Sequence, residues 1–331
     1  MKKLLSWIVA AMCPLLSFSQ NPTMHVIHKL KQQKFPKTVP AGNYSGITGL
    51  GDGRYAVVSD KSGEDGFFVF QIEQDTLTGK ILSVENEGFR SSGKPNRDME
   101  GIAYVPHART LYISGEADNE ILEYTLDGQH TGRRLDIPDI FRTANENAGF
   151  EALAYDAGQH LFWTLTESML KADGNPASGI NRVKNRLRLQ SFGDDLQPHN
   201  QYIYDMDEPQ ARHQGRLYAM GVSALCAADS GRLLVLEREA YVAKKTIGSW
   251  VHCKLYEVTP LEAAKGEPLQ KHLLTEFRTK LNLIRQNFAN YEGMCWGAEL
   301  ADGSRTLLLI ADSQNQYKGI LRDWLRVLII K

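Results

Sequence analysis

From residue 24 onward the chain runs in short stretches of alternating apolar and polar residues, broken by Gly, Asp and His turns. Five stretches share one pattern: a polar residue, a small apolar-rich run, a turn, a β-branched or aromatic run, then an acid. They are "YSGITGLGDGRYAVVSD" (44–60), "MEGIAYVPHARTLYISGE" (99–116), "FEALAYDAGQHLFWTLTE" (150–167), "VSALCAADSGRLLVLERE" (222–239) and "YEGMCWGAELADGSRTLLLIAD" (291–312). Period-two alternation around a turn predicts a β-hairpin for each. Between them lie further strand patterns: "GFFVFQIEQDTLTGKILSVE", "EILEYTLDGQHTGRRLDI", "RLRLQSF" with "QYIYDM", and "KLYEVTP" with "KHLLTEF". That makes four strands per unit, with units opening at Ser45, Glu100, Glu151, Ser223 and Glu292.

Four-strand units repeating every roughly fifty to seventy residues predict an all-β chain folded as a β-propeller. The count is five blades; six would need a further blade inside one of the two longer intervals. The last unit stops at its third strand, "ILRDWLRVLIIK", and "MHVIHKLKQQKF" near the start reads as the missing fourth. The N-terminal strand is therefore expected to close the ring and remove its edges. Helix should be minor, with "RTKLNLIRQNF" (278–288) the best candidate.

In such a ring each blade's first strand lines the axis, and its first residue lies at one mouth. The second strand runs back, so its last residue returns to the same face. An inner ring of Ser45, Glu100, Glu151, Ser223 and Glu292 is then expected inside an outer ring of Asp60, Glu116, Glu167, Glu239 and Asp312. Three converging glutamates must take up protons or hold a cation. Carboxylates and hydroxyls together form a hard, oxygen-rich set suited to Ca²⁺. The bland alternative is a set of solvated strand ends. Asp98 and Glu100 are expected to point to opposite strand faces and so not to act as a carboxylate pair.

Composition narrows the partners. The 331 residues are 42% hydrophobic and 23% charged, with a net charge of −1, so no global charge favours nucleic acid or an anionic membrane. Residues 1–19 read as a signal peptide: Lys2 and Lys3, an apolar stretch, and small residues Ser17 and Ser19 before a cleavage point at Ser19–Gln20. Cys13 follows Met12 where a lipobox wants a small residue. A secreted or periplasmic product is expected, with residues 20–331 forming one domain, monomeric and without a membrane span. Cys226, Cys253 and Cys295 suggest neither a disulfide framework nor a zinc site and are expected to be buried.

The motifs "DMEGIAY", "GFEALAY" and "YEGMCWG", with their following "SGE", "TES" and "ADS", resemble the phytase-like family, described as "esterase-like activity of phytase". The likeness covers essentially the whole mature chain and implies phosphoester hydrolysis. The order Ser–Glu–Glu–Ser–Glu, one per blade, is also similar to the axial calcium site of the calcium-activated nucleotidases, or soluble apyrases, which are five-bladed propellers. It implies Ser45, Glu100, Glu151, Ser223 and Glu292 as Ca²⁺ ligands; the apyrases' flanking substrate motifs are not found.

Loops at the same mouth carry Arg90, Lys94, Arg97, Arg142, Arg212, His213, Arg216, Arg278, Lys280 and Arg285, with Lys61, Lys171 and Lys318 after the second strands. Cations around a carboxylate-held ion suit a small phosphorylated substrate. Arg97, Lys61, Lys318 and Arg216 are the expected substrate contacts, Arg97 acting also in catalysis beside Glu100. Asp60 or Glu116 is the expected base. No GxSxG, HExxH, GxGxxG or P-loop offers another chemistry. Two alternatives stay open: a calcium-stapled binding module, and a metal-dependent lactonase or esterase.

Overall fold

A computed structural model of the chain describes residues 24–145, 148–281 and 287–331, and for Lys318 the backbone alone. Twenty strands form five four-stranded antiparallel sheets. Blade one holds β2 (Tyr44–Gly51), β3 (Arg54–Ser59), β4 (Glu64–Gln74) and β5 (Ile81–Pro95). Blade two holds β6 (Met99–Val105), β7 (Thr110–Gly115), β8 (Glu120–Thr125) and β9 (His130–Arg134). Blade three holds β10 (Phe150–Asp156), β11 (Leu161–Thr166), β12 (Arg186–Gly193) and β13 (Pro198–Asp205). Blade four holds β14 (Leu217–Ala228), β15 (Arg232–Val242), β16 (Trp250–Val258) and β17 (His272–Lys280). Blade five holds β18 (Asn290–Glu299), β19 (Arg305–Asp312), β20 (Leu325–Ile330) and β1 (Val26–Lys29).

The first strands pack as a ring, β2 against β6, then β10, β14, β18 and back to β2. The expected five-bladed propeller is what forms. Closure is also as expected. β1 pairs antiparallel with β20, Val26 opposite Ile330 and Lys29 opposite Leu328, and His25 and Lys331 exchange both backbone hydrogen bonds at 2.9 Å. Blades three and four are longer because of the segments 167–185, 206–216 and 259–271, among whose described residues no sixth sheet forms.

The core is five wedges, one between each pair of neighbouring blades. Val58, Phe67, Ile102, Ile113 and Tyr124 fill the wedge between blades one and two. Leu234, Leu236, Tyr291, Leu309 and Leu328 fill the one between blades four and five. Each inner strand therefore meets apolar neighbours on both faces, which is why its run is short and nearly continuous rather than strictly alternating. The hairpins close as their residues demand: in β2–β3, Asp52 and Gly53 both take positive φ, at 54° and 73°, the mirror-image turn that suits strand twist.

One expectation fails. Residues 278–280 belong to β17, where Lys280 sits opposite Trp250, and Leu281 exchanges backbone hydrogen bonds with the segment 248–249. Pairing with β16 overrides the helical pattern there. Within the rest of that candidate, 282–286 including Arg285 lie outside the described residues, and Asn287 and Phe288 are in neither helix nor strand. Among the described residues helix is limited to four 3₁₀ turns, Asp139–Thr143, Asp229–Gly231, Pro260–Glu262 and Tyr317–Gly319.

Candidate functional site

The five residues expected at the axis occupy one structural position. In every first strand the pairing register slips around them: between Tyr44 and Gly46, Met99 and Ile102, Phe150 and Ala152, Val222 and Ala224, and Tyr291 and Gly293. Ser45, Glu100, Glu151, Ser223 and Glu292 are thus each set on a β-bulge, which re-aims a side chain that simple alternation would direct elsewhere. A small residue follows each one because the inner strands crowd together. A Cβ on Gly46 would lie 2.3 Å from the Glu100 carbonyl, and one on Gly101 would lie 2.7 Å from the Leu153 Cβ.

A cleft of about 780 Å³ opens over this ring. Asp60, Asp98, Glu100, Glu116, Glu151, Glu167, Glu292 and Asp312 line it, against the cations Lys61, Arg216 and Arg238. The wall toward blades four and five is apolar, with Leu217, Val251, Leu281, Phe288 and Leu321. Burial, then neighbouring carboxylates, push Glu100, Glu151 and Glu292 well above the usual range. Burial raises Asp312 to about 7, and burial likewise raises Asp60 and Glu116.

Within this cleft the five axial oxygens are not equivalent. Ser45 donates to the Asn43 carbonyl at 3.3 Å, and Ser223 to the Tyr291 carbonyl at 3.1 Å. Glu292 is held by Arg238 and accepts from Asn290 Nδ2 at 2.7 Å. A tight carboxylate group forms instead from Asp60, Asp98 and Glu100, one oxygen of each within 4.8 Å of the others. The expectation that Asp98 faces away from Glu100 is corrected: residues two apart share a strand face, and the two carboxylates converge although Asp98, just before β6, takes a φ of 57°. Asp60 Oδ1 is buried and has no hydrogen-bond partner, while Oδ2 lies 3.4 Å from Lys61 Nζ, which also binds Asp98.

Arg238 was not foreseen. Its side chain is 5% exposed, and its guanidinium binds Glu167, Glu292 and Asn290. It fills the outer-ring position of blade four that spacing assigns to Glu239. Val222 pairs with Glu237, as Phe150 pairs with Thr166 and Met99 with Gly115, so the next residue is Arg238. The cause is a hairpin turn of residues 229–231, one shorter than 157–160 or 106–109. Glu239 instead accepts from the backbone N–H groups of Gln210 and Ala211 and from the Tyr218 hydroxyl, away from the cleft. Aligning the hairpins from their turns rather than from their first residues would have found Arg238.

The expected basic contacts divide. Lys61 and Arg216 line the cleft. Arg97 does not: its guanidinium forks onto Asp118 at 2.6 and 2.9 Å and donates to the Tyr124 hydroxyl at 2.9 Å. This corrects its expected role beside Glu100, since bonding to Asp118, Tyr124 and the Glu120 carbonyl engages the whole fork. Arg142 pairs with Asp139, Lys94 with His130, and Arg278 stacks over Trp250. The Lys318 side chain lies outside the described residues. Glu116 accepts from the Gly149 N–H at 2.9 Å. Cys226, Cys253 and Cys295 are buried and unpaired.

Fold and cleft together define a five-bladed propeller with a carboxylate-rich axial mouth. The family described as "Phytase-like: Esterase-like activity of phytase" matches residues 39–314, and the chain belongs to it. No curated protein matches in sequence. Among solved structures, the endo-arabinase from Bacteroides thetaiotaomicron VPI-5482 is 11% identical, with 88% of this chain and 95% of that one covered and a TM-score of 0.45. A streptogramin B lyase is 12% identical over 92% and 98%, TM-score 0.40. A member of the duf4221 family from Bacteroides vulgatus is 9% identical over 93% and 98%, TM-score 0.41. At these values nothing about chemistry passes from them to this chain.

Proposed function

We propose that the chain is an exported, divalent-cation-dependent hydrolase of phosphate esters, with Ca²⁺ as the ion. One observation carries this reading: the partnerless buried Asp60 Oδ1, grouped with Asp98 and Glu100. An all-carboxylate set suits a hard cation. Asp60, Asp98 and Glu100 would hold it. For Glu292 to ligate as well, it would have to leave Arg238, and Ser45 and Ser223 would have to turn from their carbonyls; Glu151 needs no such change. When bound, the ion supplies charge to polarise an ester oxygen or a water.

The chain's own side chains account for the rest. Lys61 and Arg216 reach the cleft and would bind an anionic group. Glu116, pinned by the Gly149 N–H and raised by burial, would accept a proton from water. The family description is consistent with ester chemistry, and the basic and apolar stretch at 1–19 supports export.

The apolar wall of Leu217, Val251 and Phe288 favours a second reading, a lactone or carboxylic ester. It offers an organic group a surface that a heavily phosphorylated substrate would not use, and among the described residues three cations face eight acids. Purified protein assayed on phytate, a nucleoside diphosphate, p-nitrophenyl phosphate and a lactone series, with Ca²⁺ and with EGTA, separates the two. Turnover of a phosphate ester that EGTA abolishes is expected. Metal-dependent turnover of lactones alone selects the second reading, and none on any substrate overturns both.

A further inference from the structure

We propose a second, nitrogen-rich metal site of the zinc class at the opposite mouth of the propeller, formed by His107, His160 and Asp194. His107 lies in the turn between β6 and β7, His160 in the turn between β10 and β11, and Asp194 just past β12. The register places all three at the far end from Glu100 and Glu151: Val105 pairs with Thr110, Asp156 with Leu161, and Leu161 with Gly193. The site therefore joins blade two to blade three and shares no residue with the acidic cleft.

The geometry meets what such an ion needs. One ligand atom from each residue lies within 4.8 Å of the others. His160 Nδ1 is 2.9 Å and His107 Nε2 is 3.6 Å from the same oxygen, Asp194 Oδ2. Ligands about 2.0–2.1 Å from a tetrahedral ion stand roughly 3.3–3.5 Å apart, and these separations bracket that value. The imidazole rings are tilted rather than stacked, their centroids 5.5 Å apart and their planes inclined at 51°.

The carboxylate is also oriented from behind. Tyr155 donates to Asp194 Oδ1 at 2.8 Å, leaving Oδ2 to face the two imidazoles. The Tyr155 ring is braced on Phe162, centroids 4.7 Å apart, and Phe162 on Tyr112 at 4.5 Å. A hydrogen bond of this kind to a ligating carboxylate is what metal sites use to fix their donors. Two imidazoles and one carboxylate select zinc, nickel or copper over calcium. The three side chains are 39–60% exposed, so water can complete the coordination and the ion can enter from solvent.

The experiment is a Zn²⁺ titration of tag-free full-length protein by calorimetry, repeated on His107→Ala/His160→Ala, Tyr155→Phe and Asp60→Asn. Wild type should bind one saturable equivalent at this site. The double variant should lose it, and Tyr155→Phe should weaken it by about tenfold. Asp60→Asn should leave it unchanged, which separates it from any Zn²⁺ taken up by the acidic cleft. Zn²⁺ should raise the melting temperature of wild type but not of the double variant. Since His107 and His160 are exposed, the metal-free melting temperatures of wild type and the double variant should agree. Failure of wild type to bind Zn²⁺, or superimposable isotherms for wild type and the double variant, overturns the site.

Discussion

Arg238 decides the electrostatic character of the mouth. It is a fixed cation among eight carboxylates, and its burial raises the cost of losing it. Arg238→Met should destabilise the protein by about 3–5 kcal/mol, because Glu167 and Glu292 would be left buried without their partner. Urea unfolding would measure this; a loss under about 1 kcal/mol would show that the acids reprotonate or rehydrate at little cost. The glycine at the axis is a second test. Gly46→Ala would drive a methyl against the Glu100 carbonyl and should cost about 1–3 kcal/mol by the same measurement. Glu100 and Asp60 could be read from sequence because both recur at fixed places in each hairpin. Asp98 is legible in the same way, since residues two apart share a strand face, whereas Arg238 needs the length of a turn. Arg97 is not legible either: nearness in sequence to Glu100 says nothing of Asp118, which it meets in the turn between β7 and β8.

At the scale of elements, the bulge is the repeated device. Five first strands slip register at the same point, so five polar residues are turned toward the axis while their neighbours stay in the apolar wedges. The strands themselves were legible because four-strand units with Gly and Asp turns leave few other folds. β1 was legible because a three-stranded last unit demands a partner. The stretch 278–280 was not, since strand pairing with β16 is a tertiary fact. A chain lacking residues 24–29 would expose β20 as an open edge. Such a chain should melt at lower temperature and aggregate, which light scattering during a thermal ramp would detect; unchanged melting would mean that β1 contributes nothing to closure.

For the whole molecule, the acidic mouth links stability to pH. Asp312 is raised from 3.8 to about 7, and Glu100, Glu151 and Glu292 are raised as well. The folded state thus binds more protons than the unfolded chain above the ordinary carboxylate range, and stability falls as pH rises. Without divalent cation, the melting temperature should drop between about pH 4 and pH 7. Ca²⁺, binding the deprotonated acids, should restore it increasingly toward the upper end. A melting temperature that rises over this window in EGTA would contradict the burial of these acids.

The pairing of β1 with β20 has a further consequence for how the chain acquires its form. That seam joins residues from opposite ends of the chain, the greatest separation any contact here can span, so it is the slowest to be found by a searching chain. Synthesis delivers its second half last. A ring symmetrical in its blades is therefore unsymmetrical in time: four sheets can assemble as the chain emerges, and the fifth must wait for β20. β1 is short and mostly exposed, so the seam should also be the first to reopen, with its amides exchanging hydrogen faster than those of β14 or β15.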